Sequence, residues 1–271
     1  MMVAWSRRGC PELSLEAFAS LLRQAELRYF VHDVGLVDPG IQNGGGAEPW
    51  PHLPQIDDVQ LAAVNATCTL RHPDEVARLR QLVVAASERG ARAVNLHVIH
   101  ILGEFDPLPS FLTEALCTLG DQAQACGLDL CLDSTCGLGG TRQGMARTIK
   151  ALNHPAIKLQ LDCGGYVLQN PGSQFEIAIQ RLIGWTGSLR LSDMVDGNSE
   201  ADYPPLGWGA SVDFARVWQL LRGMNLNIPC EIYFHPADQK AGSLQQITRN
   251  LRESLRTLRD CGWPVTVPAA T

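Results

Sequence analysis

Apolar runs of strand length alternate with segments of helical periodicity from one end of the chain to the other. That alternation confines the chain to a parallel α/β architecture. Strand-like runs fall at 3–6, 29–34, 60–68, 93–99, 128–133, 156–162, 188–192 and 228–233. Between them, apolar residues recur at helical spacing over 14–28, 74–90, 109–126, 141–152, 173–183, 212–224 and 244–261. Ser14 is a natural N-cap, and Gly90 and Gly127 are natural stops. Eight such strands closed into a (β/α)8 barrel are the expected fold, because the 271 residues match the about 250 typical of that barrel. An open doubly wound sheet is the alternative, and it lacks a GxGxxG after the first strand. Neither an internal repeat nor a linker divides the chain, so one domain over 1–271 is expected.

One connection departs from the pattern. Residues 38–55 (DPGIQNGGGAEPWPHLPQ) are rich in glycine and proline and replace most of a helix after the second strand. Such a loop would lie over the C-terminal mouth, where barrel active sites sit. It reads equally as a lid carrying Trp50 and His52 or as a plain insertion.

Composition excludes several partners. A net charge of -6 and a pI near 5.6 leave no basic excess for nucleic acid or an anionic membrane. The first residues lack the apolar core of a signal peptide, and no run is long and apolar enough to span a bilayer, so a cytoplasmic location is expected. Nine cysteines leave one unpaired at least, and none form a CxxC pair. Cys131, Cys163 and Cys230 sit in apolar runs, where a reduced thiol is a small apolar filler.

The strongest pattern is the set of strand side chains opposite the leucines. Side chains alternate along a strand, and in a barrel the apolar set faces the helices. Leu130 and Leu132 therefore leave Asp129, Cys131 and Asp133 pointing inward. By the same alternation Lys158, Gln160 and Asp162 face in, as do Ser188, Arg190 and Ser192, Asn95 and His97, and Glu231, with Asn65 and Thr67 beside them. A purely structural barrel fills such positions with Val, Ile and Leu. Buried charges need partners, a metal or solvent. Asp129 with Lys158 reads as a self-satisfied pair low in the barrel. Asp133, Asp162, Arg190 and Glu231 lie at or near strand C-terminal ends, where barrel chemistry sits. At the second strand, only one of His32 and Asp33 can face inward.

Several segments resemble the sugar phosphate isomerase/epimerase family of xylose isomerase-like barrels. LRLSDMVDG followed by PPLGWGASVDF is similar to that family's seventh strand, HxxD, and PLGxG turn. LQLDCGG is similar to its sixth-strand DxxH, LCLDST to the fifth strand with its glutamate, and PCEIYFHP to the last strand with its second glutamate. With NLHVIH, the resemblance spans most of 60–240.

The resemblance implies one divalent metal, Mn, Mg, Co or Zn, bound by Glu, Asp, His and Glu, and carbonyl-alpha proton transfer between glutamates. Carried over, Glu231 and Asp162 keep their identity, and Asp133 replaces the other glutamate with a side chain shorter by about 1.5 Å. Asp133, Asp162 and Glu231 are thus the implied metal ligands, with Glu231 and Asp133 the implied acid/base pair. Arg190 stands where the histidine belongs and Gly165 where the sixth-strand histidine belongs. A guanidinium has no lone pair for a metal, so metal binding is expected to be weakened or lost.

Arg190 can instead offset the carboxylates or bind a substrate anion. His97 reads as a satisfied core histidine or a substrate or metal contact, and His235 as a further completing group. Trp208 reads as packed on its neighbours or stacked on a sugar face. Beyond the strands, His100, Glu104 and the glycines of 137–140 are loop candidates.

Two functions follow. One is a sugar or polyol isomerase/epimerase with an altered metal site. The other is a degenerate barrel that binds a small sugar or anion without chemistry. A small-molecule partner is expected, with a homo-oligomer possible. The endonuclease branch of the same barrel needs a histidine-rich multi-metal site, and this chain has only seven histidines.

Overall fold

Each strand pairs in parallel with the next, and the last returns to the first, so the sheet closes in the order β1-β2-β3-β4-β5-β6-β7-β8. The computed structural model describes residues 1–10, 13–37, 52–99, 108–135, 142–170, 174–195, 203–234 and 244–265. The strands are β1 (Met2–Ser6), β2 (Tyr29–Leu36), β3 (Gln60–Cys68), β4 (Ala93–Val98), β5 (Asp129–Asp133), β6 (Ile157–Asp162), β7 (Thr186–Leu191) and β8 (Pro229–Ile232). The helices are α1 (Leu15–Gln24), α2 (Pro73–Glu88), α3 (Ser110–Ala125), α4 (Arg142–Leu152), α5 (Cys163–Gln169), α6 (Phe175–Leu182), α7 (Phe214–Gly223) and α8 (Leu244–Asp260). This is the single (β/α)8 barrel expected from the alternation.

Some boundaries moved, for local reasons. The first helix stops at Gln24 rather than continuing to 28. Glu26 takes φ 53, and the Leu27 N–H bonds back to the Leu22 carbonyl, so the chain reverses and Leu27 enters the core. The sequence reading missed α5, because Gly164 and Gly165 at its start hide the helical signal. Asp162 caps it by accepting from the Gly165 N–H at 2.9 Å. Of the glycine-rich loop, Trp50 and the rest of 38–51 lie outside the described residues, as do His100, Glu104, 136–140 and His235.

The alternation divides the strands as expected. Val94, Leu96, Leu130, Leu132, Leu159, Leu161, Leu189 and Ile232 join the helices in the main apolar core. Inside the barrel, Ala4, Val31, Ala63, Ala93 and Cys131 form a second, small cluster with Tyr29. Small side chains suit this narrow layer. Above it the interior turns polar. Cys131, Cys163 and Cys230 form no disulfide. Burial pushes the Cys230 thiol up to about 12 and those of Cys131 and Cys163 well above the usual value, as fits apolar filler. No helix among the described residues is long and apolar enough to cross a membrane.

The second strand resolves in favour of Asp33. It pairs in register with Asn65 and shares its inward direction, which sends His32 to the other face. His32 is buried there, and its Nδ1 has no hydrogen-bond partner among the described residues. Burial, then Arg7 and His52, lower its pKa to about 4. An unfolded histidine takes up a proton near pH 6.5, whereas the folded one stays neutral until about 4. Stability contributed by neutral His32 is therefore complete above about 6.5 and is lost as pH falls towards 4, by up to about 3 kcal/mol. Urea unfolding of wild type and His32→Asn across pH 7 to 4 should show a steeper loss in the wild type. Parallel curves would contradict the buried neutral state.

Candidate functional site

Strand register brings the inward charges to one level. Asp162 pairs across from Arg190, Arg190 from Glu231, and Asp133 from Gln160. Arg190 is 4% exposed and reaches into the middle of the three carboxylates. Its Nη1 donates to Asp133 Oδ2 at 2.9 Å and to Asp162 Oδ2 at 3.2 Å. Its Nη2 donates to Gln160 Oε1 at 3.1 Å. Its Nε lies 3.6 Å from Glu231 Oε2, too long for a hydrogen bond but close enough for ionic attraction.

A hydrogen-bonded chain beneath the guanidinium fixes Glu231. Ser188 donates to Asn95 at 2.8 Å, Asn95 to Asn65 at 2.8 Å, and Asn65 to Glu231 Oε1 at 2.9 Å. Gln160 Nε2 donates to Glu231 Oε2 at 3.1 Å. Asp133 Oδ1 accepts from the Thr135 N–H at 2.8 Å and its hydroxyl at 2.7 Å. Asp162 Oδ1 accepts from the Ser192 hydroxyl as well as from Gly165. The lower expected pair is half-buried at Asp129, where burial raises the carboxyl and Lys158 and Arg92 pull it back.

The carboxylates differ electrostatically. Burial would raise the Asp133 carboxyl, yet the Arg190 charge and hydrogen bonds from His97 and Thr135 hold it well below the usual range. For Asp162, burial prevails over Arg190, and the neighbouring Asp133 charge pushes the same way, so its pKa is raised. Burial opposes the Arg190 charge, but Asp133, Glu231 and Asp162 together raise its pKa well above that of free arginine. The guanidinium is a permanent cation.

The rim is partly open. His97 Nδ1 lies 3.3 Å from Asp133 Oδ2, and its side chain is 27% exposed. A carboxylate can only accept, so this contact places a proton on Nδ1, and in the neutral ring the lone pair is then on Nε2. The Tyr233 ring lies 5.6 Å from Arg190 Cζ, and Tyr203 packs edge-on against Tyr233 at 5.2 Å. Arg8, on the turn after β1, lies 3.7 Å from Asp33. Sequence reasoning missed both tyrosines. The alternation Glu231, Ile232, Tyr233 could have found Tyr233, but nothing periodic surrounds Tyr203.

Asp193, retained from the seventh-strand motif, does other work. It accepts from the N–H groups of Met194, Gly207, Gly209 and Ser211 and from the Ser211 hydroxyl, at 2.8–3.1 Å. It thereby clamps the PLGWG turn to the end of β7. Gly209 is obligatory there, since a Cβ would lie 2.0 Å from the Met194 carbonyl oxygen. Trp208, read as packed on its neighbours or stacked on a sugar face, is 54% exposed on this turn. A turn drawn in by Asp193 leaves the indole outside.

The described residues do not fit a divalent metal. A protonated guanidinium lies among the three carboxylates that the resemblance implies as ligands, and the Asp133, Asp162 and Glu231 oxygens already accept hydrogen bonds or pair with Arg190. The missing sixth-strand histidine cannot simply be restored, because a Cβ on Gly165 would lie 2.5 Å from Thr135 Cγ2. Among the described residues, no group of three or more His, Cys, Asp or Glu is arranged to hold a metal ion.

A family model described as a xylose isomerase-like TIM barrel matches residues 7–261. No curated protein matches the chain. Among solved structures, a xylose isomerase domain protein from Planctomyces limnophilus is 16% identical, with 96% of each chain covered and a TM-score of 0.70. The IolI protein with a bound zinc atom is 13% identical over 96% of this chain and 98% of its own, with a TM-score of 0.69. D-Psicose 3-epimerase with D-tagatose, from Clostridium cellulolyticum, is 12% identical over 97% of this chain and all of its own (100%), with a TM-score of 0.69. At these identities the likeness is one of fold.

Removing the cation should expose its structural weight. Arg190→Met leaves buried carboxylates without a counter-charge and is expected to cost about 3–5 kcal/mol in urea unfolding. Adding Asp133→Asn and Asp162→Asn should recover part of that loss. A loss below about 1 kcal/mol would mean that the carboxylates do not depend on Arg190.

Proposed function

This chain belongs to the xylose isomerase-like TIM barrel family, and on that premise we propose that it acts on a sugar or polyol as an isomerase or epimerase. The reaction is proton transfer at the carbon next to a carbonyl. The observation that carries this reading is the contact chain His97–Asp133–Arg190 at the C-terminal ends of the strands. Support comes also from the fold neighbours, which include a D-psicose 3-epimerase and an L-ribulose 3-epimerase.

In this reading His97 takes the proton from one carbon and, for isomerisation, delivers it to the neighbouring carbon of the enediolate. For epimerisation His97 passes its proton to water, and water on the opposite face protonates the original carbon. His97 Nε2 is the basic atom, because Asp133 holds Nδ1–H. A general base aligned in this way typically contributes 10²–10⁴-fold. The developing oxyanion lies in the positive field of Arg190, in a buried setting where charge acts strongly. Asp133 then works through His97 rather than directly. Glu231, implied by the resemblance as an acid/base, has both oxygens engaged by Asn65 and Gln160 and sets the position of Arg190. Tyr203 and Tyr233 supply aromatic surface at the mouth, and Trp208 on its exposed turn offers a further face for a sugar ring.

A second reading is binding without chemistry. The full engagement of the three carboxylates favours it, since no acidic oxygen is left free to move a proton. Incubation in deuterium oxide with a panel of ketoses, aldoses, polyols and sugar acids separates the two. Isomerase or epimerase action should place deuterium on the carbon beside the carbonyl, detected by NMR. His97→Gln should slow that exchange about 10²-fold or more while calorimetric binding changes little. Binding without exchange would leave only the second reading, and neither binding nor exchange would remove both.

A further inference from the structure

We infer that the cage formed by Asp133, Asp162 and Glu231 is a cation site whose occupant is the chain's own Arg190, so that the site works without divalent metal and accepts an external cation once the guanidinium is removed. The inference rests on the family reading above for the location of the site. It goes further in assigning the cation.

Three observations carry it. The guanidinium contacts all three carboxylates, at 2.9, 3.2 and 3.6 Å. These side chains come from β5, β6 and β8, so distant parts of the chain converge on one positive charge. Second, the carboxylate oxygens turned away from Arg190 are held by neutral donors: Thr135 at Asp133, Ser192 and Gly165 at Asp162, and Asn65 at Glu231. Those donors fix each carboxylate with one oxygen towards the guanidinium, two of them at Nη1 and one at Nε, so the cage follows the planar fork rather than a single point. Third, Arg190 Nε is buried with no hydrogen-bond partner. The fork therefore fills the cage imperfectly, as expected of a side chain occupying a cavity bounded by charge rather than one shaped to every N–H.

Chemistry explains the consequence. A dication needs ligand lone pairs, and a permanent cation at the centre repels it. Arg190 cannot dissociate, be chelated or exchange, so it supplies positive charge independent of metal availability. It offers no open coordination position. A substrate oxygen can meet its charge only by hydrogen bonding or through-space attraction.

Calorimetry and thermal unfolding with Mn(II), Zn(II) and guanidinium chloride at millimolar concentration, on wild type, Arg190→Ala and Arg190→His, provide the test. Wild type should bind no equivalent of either metal at the cage, and a chelator should leave its Tm unchanged. Arg190→Ala should lose Tm and regain it with guanidinium or metal. Arg190→Ala and Arg190→His should each bind one equivalent of metal at least tenfold more tightly than wild type, and adding Glu231→Gln should weaken that binding.

Wild-type uptake of one metal equivalent that Glu231→Gln abolishes would overturn the inference, as would folded variants that bind neither metal nor guanidinium. Variants that stay unfolded in the presence of all three cations would overturn it too, because a cation cage should be refilled from solution. These outcomes are independent of the deuterium experiment. Metal uptake by wild type would leave proton transfer standing, and absence of exchange would leave the cation assignment standing.

Discussion

The guanidinium of Arg190 is the point on which the interior of this barrel depends. Three carboxylates buried in a closed sheet carry a desolvation cost of several kcal/mol each unless a positive charge and hydrogen bonds answer them. Arg190 answers all of them at once, and the polar side chains below and around it are arranged to hold that balance. Remove the cation and the Asn65, Asn95, Ser188 and Gln160 chain still holds Glu231, but Glu231, Asp133 and Asp162 lose their shared counter-charge.

That balance accounts for the layering of the interior. The lower layer is narrow and is filled by Ala4, Val31, Ala63, Ala93 and Cys131. The next holds neutral amides and hydroxyls, and the upper one holds the charges. Each layer is made possible by the one beneath it. Small residues let the strands close, amides then bridge neighbouring strands, and the bridged strands hold the carboxylates within reach of Arg190. Polarity rises towards the mouth, where His97, Tyr203 and Tyr233 are partly open.

A dication and a guanidinium solve the same electrostatic problem differently. An exchangeable ion brings charge and open ligand positions; an arginine brings charge and fixed donors. Here the residues around the site suit a fixed cation. Arg190 supplies the cation, Gly165 leaves room that Thr135 and Asp162 fill, and Asp133 is a shorter carboxylate that pairs with the guanidinium at 2.9 Å. Asp193, at the end of the motif, clamps the PLGWG turn.

The sequence by itself determined the barrel, because the alternation of strand and helix periods admits few parallel closures. It also determined which side chains face inward, because strand alternation has a strict period of two. Asp133, Asp162, Arg190 and Glu231 were legible for that reason. What it could not give was any relation between strands: a period says which face a residue takes, not which partner it meets. Only the closed register put one guanidinium between three carboxylates, paired His97 with Asp133, and turned Asp33 inward instead of His32. Tyr203 and the exposed position of Trp208 were invisible because both lie on connections, whose course is set by tertiary hydrogen bonds such as those of Asp193 rather than by a local repeat.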